Sequence, residues 1–179
     1  MRDSYRIIEH GHQPHFLTMS VVGKVPIFTN SRYMNVIAEA LKYYQREHKL
    51  KIYSFVLMDN HLHLIASCEE NLSEVLRLFK SFVAKEIIKL LRNDSRAWIL
   101  ALLEEMKKKH KKYSIHQFWE EGNHPKMIQG MEMFNQKVEY IHNNPVKRGL
   151  VEKPEHWVYS SAKHFAGMDC VIDIDKIEV

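Results

Sequence analysis

"KIYSFVLMDNHLHLIAS", residues 51–67, decides the fold. Two apolar runs flank Asp59-Asn60, a pair suited to a tight two-residue turn, so the stretch reads as a β-hairpin. Side chains on a strand alternate between its two faces. His61 and His63 therefore share one face, while Leu62 and Leu64 share the other and enter a core. With a rise of about 3.3 Å per residue, the two imidazoles start about 7 Å apart, near enough to close on one metal ion. The same alternation also describes a polar outer face without chemistry. Twelve histidines in 179 residues make such a pair unremarkable by itself.

Outward from the hairpin, the chain alternates strand and helix signals. "PHFLTMSVV" (14–22) reads as a strand bounded by Pro14 and by the Gly23–Pro26 stretch. The segment from Ser31 to Lys49 carries Met34, Ile37, Ala38, Leu41 and Tyr44 at helical spacing, with Asn30 or Ser31 as its N-cap. After the hairpin, "NLSEVLRLFKSFVAKEIIKLL" (71–91) has Asn71 and Glu74 at capping-box spacing. Its apolar stripe is Val75, Leu76, Phe79, Phe82, Val83, Ile87, Leu90 and Leu91. "RAWILALLEEMKKKHK" (96–111) continues as helix, "YSIHQFWEE" (113–121) returns to strand character, and "HPKMI" (124–128) pairs back after a Gly122-Asn123 turn. "GMEMFNQKVEYIHN" (130–143) is a helix that stops before Pro145. The order reduces to βαββαβ. The expected fold is α+β, a ferredoxin-like (RRM-like) antiparallel sheet with helices on one face, plus the helix that carries Tyr140. Neither a repeat nor a Pro/Gly-rich linker divides residues 1–179. They read as one domain, with a core at about 14–150 and a tail from 151 packed on it.

Composition narrows the class. Apolar content of 45% and charged content of 27% are those of a soluble globular protein. Cys68 and Cys170 lie far apart, which argues against a disulfide framework and a thiolate zinc site. The start of the chain has no apolar signal segment and no run reaches membrane-spanning length, so a cytoplasmic protein is expected. The net charge of +4 and a pI near 8.9 lean toward a polyanionic partner. The cations are clustered: Lys85, Lys89 and Arg92 form a helical ridge, Lys107, Lys108, Lys109, Lys111 and Lys112 crowd one run, and Lys147 and Arg148 follow Pro145. A solvated surface explains such runs equally well.

A two-histidine metal site needs a third ligand and a reacting group. "VEYIHNNP" (138–145) supplies both types. Tyr140 and Asn144 are i and i+4, so they share one helix face, and Asn144, just before Pro145, sits at the ragged last turn; Asn143, at i+3, stays open as the ligand. A carbonyl oxygen with two imidazoles suits Mg²⁺ or Mn²⁺ better than zinc. Tyr140 is equally readable as an amphipathic-helix residue with its hydroxyl in water.

"VLMDNHLHLIAS" (56–67), "LRLFKSFVAKEI" (76–87), "FWEEGNHPKMI" (118–128), "VEYIHNNPVKRGLV" (138–151) and "PEHWVYSSAKHF" (154–165) together resemble the single-tyrosine HUH transposases, in particular their REP-associated tyrosine transposase branch in bacteria. The resemblance runs from about Pro14 to Phe165. It implies that His61, His63 and Asn144 bind a divalent metal, Mg²⁺ or Mn²⁺. It further implies that Tyr140 is the nucleophile that nicks single-stranded DNA near a hairpin and keeps the 5′ phosphate. The protein would act as monomer or homodimer, with Tyr140 serving its own subunit or a partner's. Two departures stand out: Asp59 replaces the proline common in the "MPNH" turn, and "FWEEGNH" replaces a "WQ-GFH" type sequence. Neither touches the proposed reacting groups. No dedicated general base is legible. The basic clusters then line a path for a phosphate backbone, with Phe118 or Trp119 as candidates for base stacking. Two other readings compete: a non-catalytic DNA-binding descendant, and an RNA-binding sheet protein, whose usual aromatic strand motif the chain lacks.

Overall fold

A computed structural model of the chain describes residues 13–110 and 112–177. Among them, β1 (His15–Ser20), β2 (Leu50–Leu57), β3 (His61–Cys68) and β4 (Lys126–Met127) form one antiparallel sheet in the order β2-β3-β1-β4. Each helical crossover skips a strand position, as the βαββαβ order requires. The helices are α1 (Ser31–His48), α2 (Leu72–Asn93), α3 (Ala97–Glu105), α4 (Gly130–His142) and the short α5 (Asn144–Lys147) and α6 (Ala162–Phe165).

Local chemistry sets the boundaries. Asn30, not Ser31, caps α1 by accepting from the Tyr33 amide, and Asn71 caps α2 through the Glu74 amide. The Asp59-Asn60 turn closes where Met58 N–H donates to the His61 carbonyl at 2.8 Å. Strand alternation then divides the side chains between two cores. Leu17 and Met19 of β1, and Leu62, Leu64 and Ala66 of β3, face the larger core under α1 and α2. Phe16 and Ile65 face a smaller core under α4, with Tyr53, Val56, Phe134, Val138 and Ile141. On β2 a register shift between Ile52 and Ser54 changes the parity. Ile52 and Phe55 thereby both reach the larger core.

α1 and α2 share one face of the sheet, and α4, the helix that carries Tyr140, lies on the other. Several expectations need correction. Residues 113–121 form no strand. Only Trp119 makes an isolated bridge to Val21, and Lys126–Met127 pairs instead with β1. Freed from strand alternation, Phe118 and Trp119 both turn inward, and neither can stack bases. α3 ends at Glu105, so Lys107, Lys108, Lys109 and Lys112 lie beyond it and outside any helix. On α2, Phe82 faces solvent at 48% exposure, outside the buried stripe.

The residues after Val151 run beside β2. Leu57 N–H donates to the Tyr159 carbonyl, Ser161 N–H to the Phe55 carbonyl, and Asp175 N–H to the Ile52 carbonyl. Trp157 Nε1 donates to the Leu57 carbonyl, and Tyr159 Oη donates to Asn35. These bonds occupy an edge strand that would otherwise offer free backbone groups.

Candidate active site

The site lies on the α4 side of the sheet and begins with β3. His61 and His63 both project there, and their ring centroids stand 4.7 Å apart. Strand pairing places Thr18 of β1 opposite His63 and Ser20 opposite His61. His63 is 5% exposed and stacks on Phe16 at 5.5 Å. Burial, then the neighbouring His61, Lys24 and Lys137, holds His63 down at about 3. Burial and the charge of Lys24 hold His61 at about 4. Both rings are therefore neutral at neutral pH and carry a free lone pair.

Hydrogen bonds orient those lone pairs. Asn60 Nδ2 donates to the Lys24 carbonyl at 2.9 Å, which turns its Oδ1 toward His61. His61 Nδ1–H donates to that oxygen at 2.7 Å, leaving Nε2 as the lone-pair nitrogen. Thr18 Oγ1 stands 2.9 Å from His63 Nδ1 and repeats the arrangement when it accepts. Among the described residues, no group of three or more His, Cys, Asp or Glu converges. A third protein ligand would be an oxygen of another kind, such as an amide. Two neutral imidazoles, each braced at Nδ1, fit a divalent cation.

α4 supplies the other half. Phe134, Val138 and Ile141, at i, i+4 and i+7, seat the helix on the sheet. That seating puts Tyr140 at the rim. Its ring lies 5.3 Å from His63 and 5.9 Å from Phe16, edge-on to Phe16, and the residue is 42% exposed. Strand and helix thus bring His61, His63 and Tyr140 together. Asn144 stands at the ragged end of the helix, as its place before Pro145 predicts. The helix breaks at Asn143, and Asn144 opens α5 with Pro145 behind it. The half-buried Asn144 follows Tyr140 closely, but across that break. Asn143 turns its side-chain amide back to the Glu139 carbonyl.

His142 belongs elsewhere. Its Nε2 lies 2.8 Å from Ser161 Oγ, against the segment beside β2, and burial lowers it to about 4.

The predicted DNA-binding cations scatter. Lys85, Lys89 and Arg92 are exposed on α2, across the sheet from Tyr140. Lys107 Nζ donates to the Ser114 carbonyl, and Lys108 pairs with Glu121 at 2.8 Å. Lys109 and Lys112 are exposed, and Lys111 lies outside the described residues. Lys147 reaches the site, with Nζ 5.7 Å from the Tyr140 ring. Arg148 is held by Asp59 through two bonds of 3.1 Å, so the residue that replaces the usual turn proline ties the β2–β3 turn to the segment after α5.

Two cations at the site escaped the sequence. Lys24 Nζ donates to Ser20 Oγ at 2.7 Å from the Gly23–Pro26 turn, which the sequence marks as a strand end but not as part of a site. Gly23 takes φ +61 in that turn, a left-handed backbone conformation in which a residue with a Cβ would be strained. Lys137 lies three residues before Tyr140, a spacing that a helical reading could have flagged. Its Nζ sits 5.1 Å from the Phe16 ring and 5.9 Å from the Tyr140 ring.

No family model matches the chain, and no curated protein matches it significantly. Solved structures do. A REP-associated tyrosine transposase bound to a REP hairpin superposes with a TM-score of 0.66 at 16% identity, covering 99% of this chain and 94% of that one. A protein labelled a transposase from Deinococcus radiodurans matches at a TM-score of 0.47 and 11% identity, covering 77% and 95%. That second likeness is too loose to argue from. The first establishes the fold: the chain has the architecture of the tyrosine transposases that its motifs resemble.

Proposed function

We propose that this protein is a metal-dependent single-strand DNA endonuclease and strand transferase of the single-tyrosine HUH type, acting on hairpin-containing DNA through a 5′-phosphotyrosine. The observation that carries the proposal is the meeting of Tyr140 with His63 across the strand–helix seam, 5.3 Å ring to ring. A phenol at the rim, beside two neutral imidazoles on a rigid strand, is arranged for phosphodiester chemistry. The comparison structure with a hairpin bound, on the same fold, supports the substrate class.

In this reading His61, His63 and the Asn144 carbonyl would hold Mg²⁺ or Mn²⁺, whose chemistry there would be to withdraw charge from the phosphate and favour in-line attack. Asn60 and Thr18 keep the imidazole lone pairs aimed. Tyr140 Oη attacks phosphorus and gives its proton to water. The bond to the 3′ oxygen breaks, and that oxygen takes a proton to become a free 3′ hydroxyl. The 5′ phosphate stays on the tyrosine. A second 3′ hydroxyl reverses the sequence, because phenolate is a competent leaving group. Lys147 follows the backbone near the tyrosine, and the exposed lysines add salt-dependent affinity. Such work on DNA belongs in the cytoplasm. No helix among the described residues is long and apolar enough to cross a membrane.

The test is covalent capture. Single-stranded hairpin oligonucleotides with randomised flanks and a 3′ label are incubated with protein and Mn²⁺, then boiled in detergent. The expected result is a labelled protein band whose adduct maps by mass spectrometry to Tyr140 and is lost in Tyr140→Phe. Binding without any adduct would favour the non-catalytic descendant. An adduct on another tyrosine would refute the mechanism.

A further inference from the structure

We infer that Lys137 is a catalytic residue, whose ammonium holds a non-bridging oxygen of the phosphate that Tyr140 attacks. The inference rests on the reading of Tyr140 as nucleophile and adds the group that meets the charge of the reacting phosphate.

Two observations carry it. Lys137 is half-buried and its Nζ spans the seam between sheet and helix, over Phe16 of β1 and Tyr140 of α4 at once. A surface lysine making a helix-local contact would touch only the ring on its own helix, whereas Phe16 and Tyr140 together hold this ammonium at the seam. Second, none of the ion pairs among the described residues uses Lys137, so its charge is left for a ligand. An anion entering the Phe16–Tyr140 seam would meet this ammonium. Phosphodiester attack gathers negative charge on the equatorial oxygens, and a preplaced cation stabilises that charge more than the ground state. Lys147, exposed on α5, brings a second ammonium to within 5.7 Å of the same ring.

The test uses the full chain and a 3′-labelled hairpin oligonucleotide first captured on the wild type. Lys137→Met keeps the stem and removes the charge; Lys137→Arg restores it; Lys42→Met, on α1 and paired with Glu39, controls for net charge. Single-turnover adduct formation is measured beside affinity in chelator, where cleavage is stopped, with melting curves verifying the fold. Lys137→Met should slow adduct formation about 100-fold and weaken affinity less than about threefold. Lys137→Arg should recover most of the rate, and Lys42→Met should match the wild type. A methylphosphonate at the scissile position removes the phosphate charge, so the Lys137→Met penalty should shrink to within about threefold. Wild-type rates in Lys137→Met overturn the inference while leaving Tyr140 as nucleophile. So do equal losses of rate and affinity, or a penalty unchanged on the methylphosphonate. Failure of the wild type to form any adduct overturns both.

Discussion

Removing the Asp59–Arg148 ion pair should loosen the join between the two halves of the site. Asp59 lies in the turn that launches His61, and Arg148 follows α5, just beyond the tyrosine helix. At 3.1 Å, Coulomb's law gives about 1.3 kcal/mol in water and about 5 kcal/mol at an effective dielectric near 20. The side chains are 42% and 31% exposed, so solvent screening takes most of the larger figure. Two parallel N–H···O bonds keep the pair at the upper end of the range measured for exposed pairs, about 1 kcal/mol. Urea unfolding of wild type, Asp59→Ala, Arg148→Ala and the double variant should give a coupling energy of that size at constant m-value. Each single variant should melt about 2–4 °C lower. Adduct formation should fall in both, because Tyr140 and the imidazoles would no longer share a fixed frame. Additive losses, with coupling below about 0.3 kcal/mol, would refute the reasoning and make Asp59 an incidental surface residue.

Acid should destabilise the fold through its neutral histidines. His61, His63 and His142 sit at about 4, 3 and 4 in the folded protein against an ordinary value of 6.5, so the unfolded chain binds more protons below that value. Melting temperature should therefore decline as pH falls from about 6.5 toward 4; a flat profile would show these rings to be charged or solvated in the fold. Mn²⁺ at about 100 times its Kd should stabilise the wild type by about 2.7 kcal/mol at pH 7, a rise of about 5–10 °C. His61→Ala should show no such rise, and an undiminished one would place the metal elsewhere. Replacing Lys107, Lys108 and Lys109 with Ala should flatten the salt slope of single-strand binding by about 0.7, the share of one lysine. Two of the three already have partners in the fold. A change near 2 would mean that all three grip phosphate.

Much of this protein is written locally in its residues. The hairpin at Asp59-Asn60, the caps Asn30 and Asn71, and the apolar periods of α1, α2 and α4 follow from rules that span a few positions, and so were legible. Strand alternation alone put His61 and His63 opposite Leu62 and Leu64. Tyr140 was marked by its place near a helix end and by a resemblance whose fold the structure bears out. Tertiary contact decided the rest. Residues 113–121 have strand composition, yet β1 pairs with Lys126–Met127, and backbone pairing is a competition between distant segments that composition does not rank. Periodicity gives each helix an apolar face but not the side of the sheet it covers, so the placement of α4 opposite α1 and α2 was open. For the same reason the α2 ridge could be read into the phosphate path, although the sheet lies between it and Tyr140. Lys137 and the Asp59–Arg148 pair depend on neighbours far away in the chain: Phe16 meets the lysine's ammonium from another strand, and the residue after α5 gives the aspartate its partner. Short-range rules fixed which side chains share a face; only long-range packing fixed which faces meet.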